Sequence, residues 1–274
     1  MVISKSHKRI WFIARIIVII ILFINLIPIF WMILGSFKHN IDVVDPTKLL
    51  NFTFTLDNYK YILESGGFWR PLKNSILLSG VSTVFALILG VPAAYAFARW
   101  KMGKSSSIVL IIRMIPSMTF VLPWFIMFRS LGIAKSYLGL VLAFTVTSLP
   151  LIVWIMIPYF KSIPNDLWEA ARIDGASELG TFLKITLPLS IPGIMTTAIM
   201  TVLGVWNNFL FVMILGSAEQ RTLPMQLMNF IGESGQLWGK LLACATIITA
   251  PLILIAVFLQ KYIVSGMTAG ATKG

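Results

Sequence analysis

Six times along this chain, a run of roughly 20 or more mostly apolar residues passes between more polar stretches: about 10–34, 74–98, 106–128, 137–160, 190–215 and 240–260. A helix of that length crosses the hydrocarbon core of a bilayer, and it satisfies its backbone hydrogen bonds internally, which lipid cannot do for it. The pattern predicts an all-α, polytopic membrane protein with six transmembrane helices, forming a single transmembrane domain over residues 1–274. Composition agrees. Charged residues are 12% of the chain and apolar ones 58%, with a mean hydropathy of +0.89, whereas a soluble domain carries about 25% charge. Lys5, Lys8 and Arg9 precede the first run as in a signal peptide, but the run is too long and no small-residue cleavage site follows it. It reads as a retained span.

Charge assigns the sides. With the N-terminus inside, the inner segments hold 12 of the 22 basic residues against four acids, Asp166, Glu169, Asp174 and Glu178. The outer segments hold nine against six. Basic residues gather on the cytoplasmic side of a membrane, so both termini are expected there. The net charge of +12 forms no patch or stripe, which argues against nucleic acid as a partner and for lipid headgroups of the bilayer. A single cysteine, Cys244, and two histidines, His7 and His39, supply neither a disulfide nor a metal site.

No Asp or Glu occurs between Glu64 and Asp166, and all ten acids fall in predicted loops. Ion-coupled carriers place a carboxylate at membrane depth to bind the ion. Without one, the energy for uphill transport must come from another chain. A membrane enzyme that transfers a lipid-linked group would need acids or histidines at the membrane face, and here the inner acids sit together in one loop without histidine. The charge within a span is Arg113. It either snorkels or bonds carbonyls freed near Pro116, or it lines a translocation path. Pro28, Pro92, Pro116, Pro123 and Pro150 lie in or near the middle of spans, where each removes a backbone hydrogen bond and kinks its helix.

Between the fourth and fifth spans, residues 161–189 are far more polar than their flanks. Ser162 is expected to cap a helix starting near Pro164, with Leu167, Ala170, Ala171 and Ile173 giving part of an apolar face. Gly175 suits the left-handed residue that ends the helix. Ser177 then caps a second short helix running to about Thr186, which Pro188 ends. The prediction is a helical hairpin at the inner membrane surface, with small side chains beside a glycine turn where another protein can approach closely.

Glu169-Ala170-Ala171, three residues, Gly175, nine residues, Ile185, one residue and Leu187-Pro188 resemble the EAA loop, the signature of importer permeases of the ABC superfamily. AAYAFARW (93–100), SLGI (130–133), SIPNDLWEAARIDGAS (162–177), LPLSIPG (187–193), VWNNFLF (205–211) and the tail SGMTAGATKG (265–274) resemble the carbohydrate class, typified by the second maltose permease subunit. The likeness covers most of the chain from about residue 70. Trp168 departs from it, standing where an acid usually precedes the motif. So does Asn208, where an acid commonly follows Trp-Asn.

The resemblance implies a multi-pass subunit of a bacterial or archaeal cytoplasmic membrane that translocates a sugar or oligosaccharide by alternating access. Its implied partners are a second permease subunit, with which it forms a heterodimer, two ABC ATPase subunits and an external solute-binding protein. No cofactor is expected on this chain; it has no G-x-x-x-x-G-K-[ST], and ATP and Mg belong to the ATPases. Glu169, Ala170, Ala171, Asp174, Gly175, Ala176, Ile185, Leu187 and Pro188 are the implied coupling residues, and Gly266, Thr268, Gly270 and Lys273 the implied tail contacts to the ATPase. Arg113, Trp206, Asn207 and Asn208 are candidates for the path, the last three as a polar and stacking surface for a sugar or as packing between helices. A polyol or a glycerol phosphate ester is the rival cargo.

Overall fold

The computed structural model describes residues 5–64, 67–232 and 235–268, with side chains for 11–64, 67–231 and 237–260. Among these the helices run in order α1 (Lys5–Ser36), α2 (Asn40–Val44), α3 (Asp57–Glu64), α4 (Trp69–Arg99), α5 (Gly103–Met114), α6 (Val121–Ser130), α7 (Tyr137–Ser162), α8 (Asn165–Ile173), α9 (Glu178–Thr181), α10 (Leu187–Leu189), α11 (Ile191–Trp206), α12 (Phe209–Leu215), α13 (Leu223–Gln226) and α14 (Trp238–Thr268). Short 3-10 turns and one π-helical turn, Phe182–Thr186, link them. The β structure is one antiparallel pair of two-residue strands, β1 (Ile231–Gly232) and β2 (Gly235–Gln236).

Four helices, α1, α4, α7 and α14, are long and apolar enough to cross a membrane unbroken. The expected third span is bent within its length, and the expected fifth begins at a bend. α5 meets Ser117–Ser130 at 89°, and Glu178–Leu189 meets α11 at 75°. The first bend follows from Pro116, whose ring disfavours the helical conformation in the residue before it; Ile115 is extended, with ψ 125°. At the second, Pro192 lies in the first turn of α11, where its missing N–H is harmless, although its ring blocks straight continuation from the helix before. The fifth run breaks again at Asn207 and Asn208, between α11 and α12.

The chain divides into two compact units, Trp69–Gln226 with Ala250–Gly274, and Met1–Phe68 with Leu227–Thr249. In the first, α4 and α7 form the central pair and α11 packs on both. Ser75, Ser79, Ser82, Ala86, Gly90, Ala94 and Ala98 recur on α4 at three- and four-residue steps, and all are buried. Small side chains in such a stripe let membrane helices approach closely. A Cβ on Gly90 would lie 2.9 Å from Cγ2 of Ile152 on α7. Buried hydroxyls bond back to their own helices, as Ser148 does to the Phe144 carbonyl (2.7 Å) and Thr197 to that of Gly193 (2.9 Å). At the N-terminal end of α4, Asn74 donates to the carbonyls of Glu219 and Arg221, each at 2.8 Å, and accepts from the Tyr137 hydroxyl at 2.8 Å.

In the other unit, Asn58 of α3 donates to the carbonyls of Ser36 and Lys38, each at 2.9 Å. Lys38 is buried, yet its ammonium donates to the carbonyls of Lys48 and Leu49 at 2.8 Å and lies over the rings of Trp31 and Phe52. Between Trp11 and Phe30, α1 is exposed all round within the chain.

Candidate functional site

The 161–190 loop folds as a hairpin on the C-terminal ends of α4 and α7. α8 ends as its sequence predicts. Gly175 has φ +76°, and its N–H donates to the Arg172 carbonyl at 3.1 Å while that of Ala176 reaches the Ala171 carbonyl at 2.9 Å. Ser177 caps α9 by accepting from the Gly180 N–H at 3.1 Å. Two local expectations fail. Ser162 does not cap α8. Its hydroxyl donates back to the Tyr159 carbonyl at 2.7 Å, and Pro164 occupies the cap position. Nor does Pro188 end the second helix, which continues to Leu189. The Leu187 N–H reaches the Phe182 carbonyl in the π-turn, and this wider turn accommodates the proline that follows.

The apolar residues of α8 divide between two faces. The inward side chains of α8 are Trp168 and Ala171. Leu167 is 40% exposed and Ile173 86%. The Trp168 indole N–H donates to Thr186 Oγ1 at 3.1 Å, its ring meets Tyr95 edge-on at 6.3 Å, and the Arg99 guanidinium lies 4.9 Å from its centroid. Arg99 also pairs with Glu178 at 3.4 Å. Tyr95 further contacts Phe160 at 5.7 Å and Phe182 at 4.8 Å. Of the coupling residues expected from the sequence, Glu169, Ala170, Asp174, Gly175 and Pro188 are exposed, Ala176, Ile185 and Leu187 are half-buried, and Ala171 is buried. The outer surface of the hairpin thus carries Glu169, Asp174, Leu167, Ile173 and Leu179 around a glycine turn.

The path candidates separate. Arg113 lies in the last turn of α5 and lines a cleft of about 440 Å³ with Ser117, Phe120, Trp124, Thr147 and Pro150. Its guanidinium carbon lies 4.2 Å from the Trp154 ring centroid, and Phe120 and Trp124 stack at 5.8 Å. Asn207 and Asn208 are not among the residues lining that cleft, and their side chains serve the helix break. Asn207 donates to the Leu203 carbonyl at 3.0 Å, and Asn208 caps α12 by accepting from the Phe211 N–H at 3.1 Å. Trp206 is buried, so in this conformation it offers no open stacking face. Of the tail, Gly266 and Thr268 fall within α14, and Gly270 and Lys273 lie outside the described residues. Among the described residues no group of three His, Cys, Asp or Glu side chains is placed to hold a metal.

Long apolar helices make this a membrane-embedded chain, with an exposed hairpin at the ends of two of them. The family described as "Binding-protein-dependent transport system inner membrane component" matches residues 82–269. The chain is 37% identical to the trehalose/maltose transport system permease protein MalG of Thermococcus litoralis, covering 93% of this chain and 94% of that one. It is also 37% identical to the trehalose transport system permease protein SugB of Mycobacterium tuberculosis, with 91% and 93% covered. A chain of a bacterial ABC transporter involved in import of the acidic polysaccharide alginate has the same fold, with a TM-score of 0.77 at 24% identity over 96% of this chain and 99% of that one. The chain belongs to the family of binding-protein-dependent transport system inner membrane components. It is a membrane permease subunit of an ABC importer, and ATPase activity lies in a separate subunit.

Proposed function

We propose that this chain carries a sugar or oligosaccharide across the cytoplasmic membrane by alternating access. In this reading it spans the membrane six times, with α5 and α6 together making the third span, α11 and α12 together the fifth, and both termini inside. It pairs with a second permease subunit, takes its cargo from an external solute-binding protein, and is driven by two ATPase subunits that hold ATP and Mg. The observation that carries the reading is the hairpin: Leu167, Ile173 and Leu179 stay exposed around Gly175 on a loop already anchored from beneath by Trp168. Apolar side chains beside a turn without a Cβ suit a cleft on an ATPase, with Glu169 and Asp174 on the same surface. The tail residues Gly266, Thr268, Gly270 and Lys273 are proposed to reach the ATPases, and the Arg113 cleft to border the path. The sugar cargo is supported by relatives whose names specify trehalose and maltose.

ATP binding closes the ATPase dimer and draws the hairpins together, so the ATPase shifts a two-state equilibrium of the spans through contacts that differ between states. The test is Gly175→Val. A Cβ there meets nothing within 4 Å, so the native space is open and the cost lies in the backbone at φ +76°, about 1–2 kcal/mol for a residue with a Cβ, and in the blocked approach of the partner. The expected result is a chain that inserts normally but neither retains the ATPase on purification nor supports sugar uptake. Normal uptake by Gly175→Val sinks the assignment of the hairpin.

A further inference from the structure

α8 has nine residues, too few for a helix to hold itself in water. Its two inward side chains, Trp168 and Ala171, must therefore fix its position, and the alanine buries little. Trp168 is 5% exposed and holds three kinds of contact at once: the hydrogen bond to Thr186 beyond the turn, the ring contact with Tyr95 of α4, and the guanidinium of Arg99 one turn further along α4. Arg99 reaches on to Glu178 at the start of α9. Tyr95 gathers Phe160 from the end of α7 and Phe182 from the π-turn. Both limbs of the hairpin and the ends of two membrane helices thus meet around one indole and one phenol, inside the same buried cluster as Ala94, Ala98 and Met156.

We infer that Trp168 is the positioning residue of the coupling apparatus. It locks α8 to the ends of α4 and α7, so that a displacement of the hairpin is handed to the central helix pair rather than absorbed in the loop. The inference rests on the importer reading and adds the element through which the motion travels. Trp168 does not face the ATPase; the exposed surface of α8 does. Aromatic pairs of this geometry and a cation over an indole are directional, so the joint resists rotation of α8 as well as separation.

The test uses the assembled complex in lipid nanodiscs, with Cys244→Ala and spin labels on cysteines placed at the exposed positions Lys161, at the end of α7, and Arg172, in the last turn of α8. The expected wild-type result is one narrow distance distribution, unchanged by ATP. Trp168→Ala should broaden it and make it respond to ATP. In proteoliposomes the same substitution should lower trehalose taken up per ATP hydrolysed by about fivefold or more, within the usual range of coupling energies. A merely structural role would reduce the amount of assembled complex and leave that ratio unchanged. Trp168→Phe, which keeps a ring and removes the N–H, and Thr186→Val, which removes its acceptor, should give intermediate losses, and they replace the alanine variant if it does not assemble. A wild-type distance that shifts with ATP, or variants whose distances and uptake ratios match the wild type, overturns the inference. Failure of the wild-type chain to bind an ATPase overturns the importer reading instead, and the distances in the free chain still report on the joint.

Discussion

Gly193 sits in the first turn of α11 against the ring of Tyr159, three residues from the end of α7. A Cβ at Gly193 would lie 2.7 Å from both Cγ and Cδ2 of Tyr159 and 3.0 Å from Cδ1, where carbon atoms rest about 3.5–4.0 Å apart. The overlap is roughly 1 Å at the root of the ring. Rotation about χ2 leaves Cγ where it is, so relief requires a new χ1 or a shift of α7 against α11. Overpacking of this kind costs about 1–3 kcal/mol. Gly193→Ala should therefore lower the thermal stability of the purified complex in detergent, followed by fluorescence-detected gel filtration after heating. Tyr159→Ala in the same chain should recover much of the loss, giving a coupling between the two sites of about 0.5–3 kcal/mol. If Gly193→Ala is as stable as the wild type, or if its loss persists without the tyrosine ring, the close approach of α7 and α11 is not what the glycine serves.

Asn74→Leu removes three hydrogen bonds and takes away the side-chain donor to the Arg221 carbonyl, while the Glu219 carbonyl keeps the Tyr137 hydroxyl at 3.2 Å; an unsatisfied buried group costs about 1–3 kcal/mol, and limited proteolysis should cut residues 216–223 sooner. Lys38→Met keeps the apolar stem but loses the ammonium that binds the Lys48 and Leu49 carbonyls, so segment 45–50 should exchange amide hydrogens faster by mass spectrometry, with α4 and α7 unchanged. Cysteines at positions 113 and 207, both exposed within the chain, should react with a water-soluble maleimide in a Cys244→Ala background, at rates that change with ATP. A cysteine at the buried position 206 should react far more slowly, and equal rates at all three positions would remove Arg113 and Asn207 from the path.

Much of the fold was legible because lipid imposes a simple rule: a membrane helix must be long and apolar. The runs at 74–98 and 137–160 correspond to α4 and α7 within a few residues at most ends. The bends were less legible. Pro116 marks a break in the sequence, but the 89° between the two helices depends on how α6 packs beyond it, and no local pattern encodes that angle. Pro188 reads as a stop because a proline interrupts an α-helix. The π-turn before it alters the hydrogen-bond register and lets the helix pass through, a solution that depends on Phe182 being drawn into the buried cluster.

The hairpin was legible as a motif, but the inward side of α8 was not. Over nine residues, apolar periodicity cannot decide which side of α8 faces in. Leu167, Ala170, Ala171 and Ile173 make as plausible a stripe as Trp168 and Ala171. The choice is made by groups remote in sequence, because Tyr95, Arg99 and Thr186 offer the indole ring contacts and an acceptor that no aliphatic chain can use. Burying Trp168 turns Ile173 outward, and the consequence is functional. An isoleucine 86% exposed beside Asp174 contributes nothing to packing within this chain, since its apolar surface stays uncovered there. Such a side chain at the tip of an anchored hairpin gains its stabilisation only when a second protein covers it. Burial of Trp168 thus leaves uncovered the surface on which the ATPase is proposed to act.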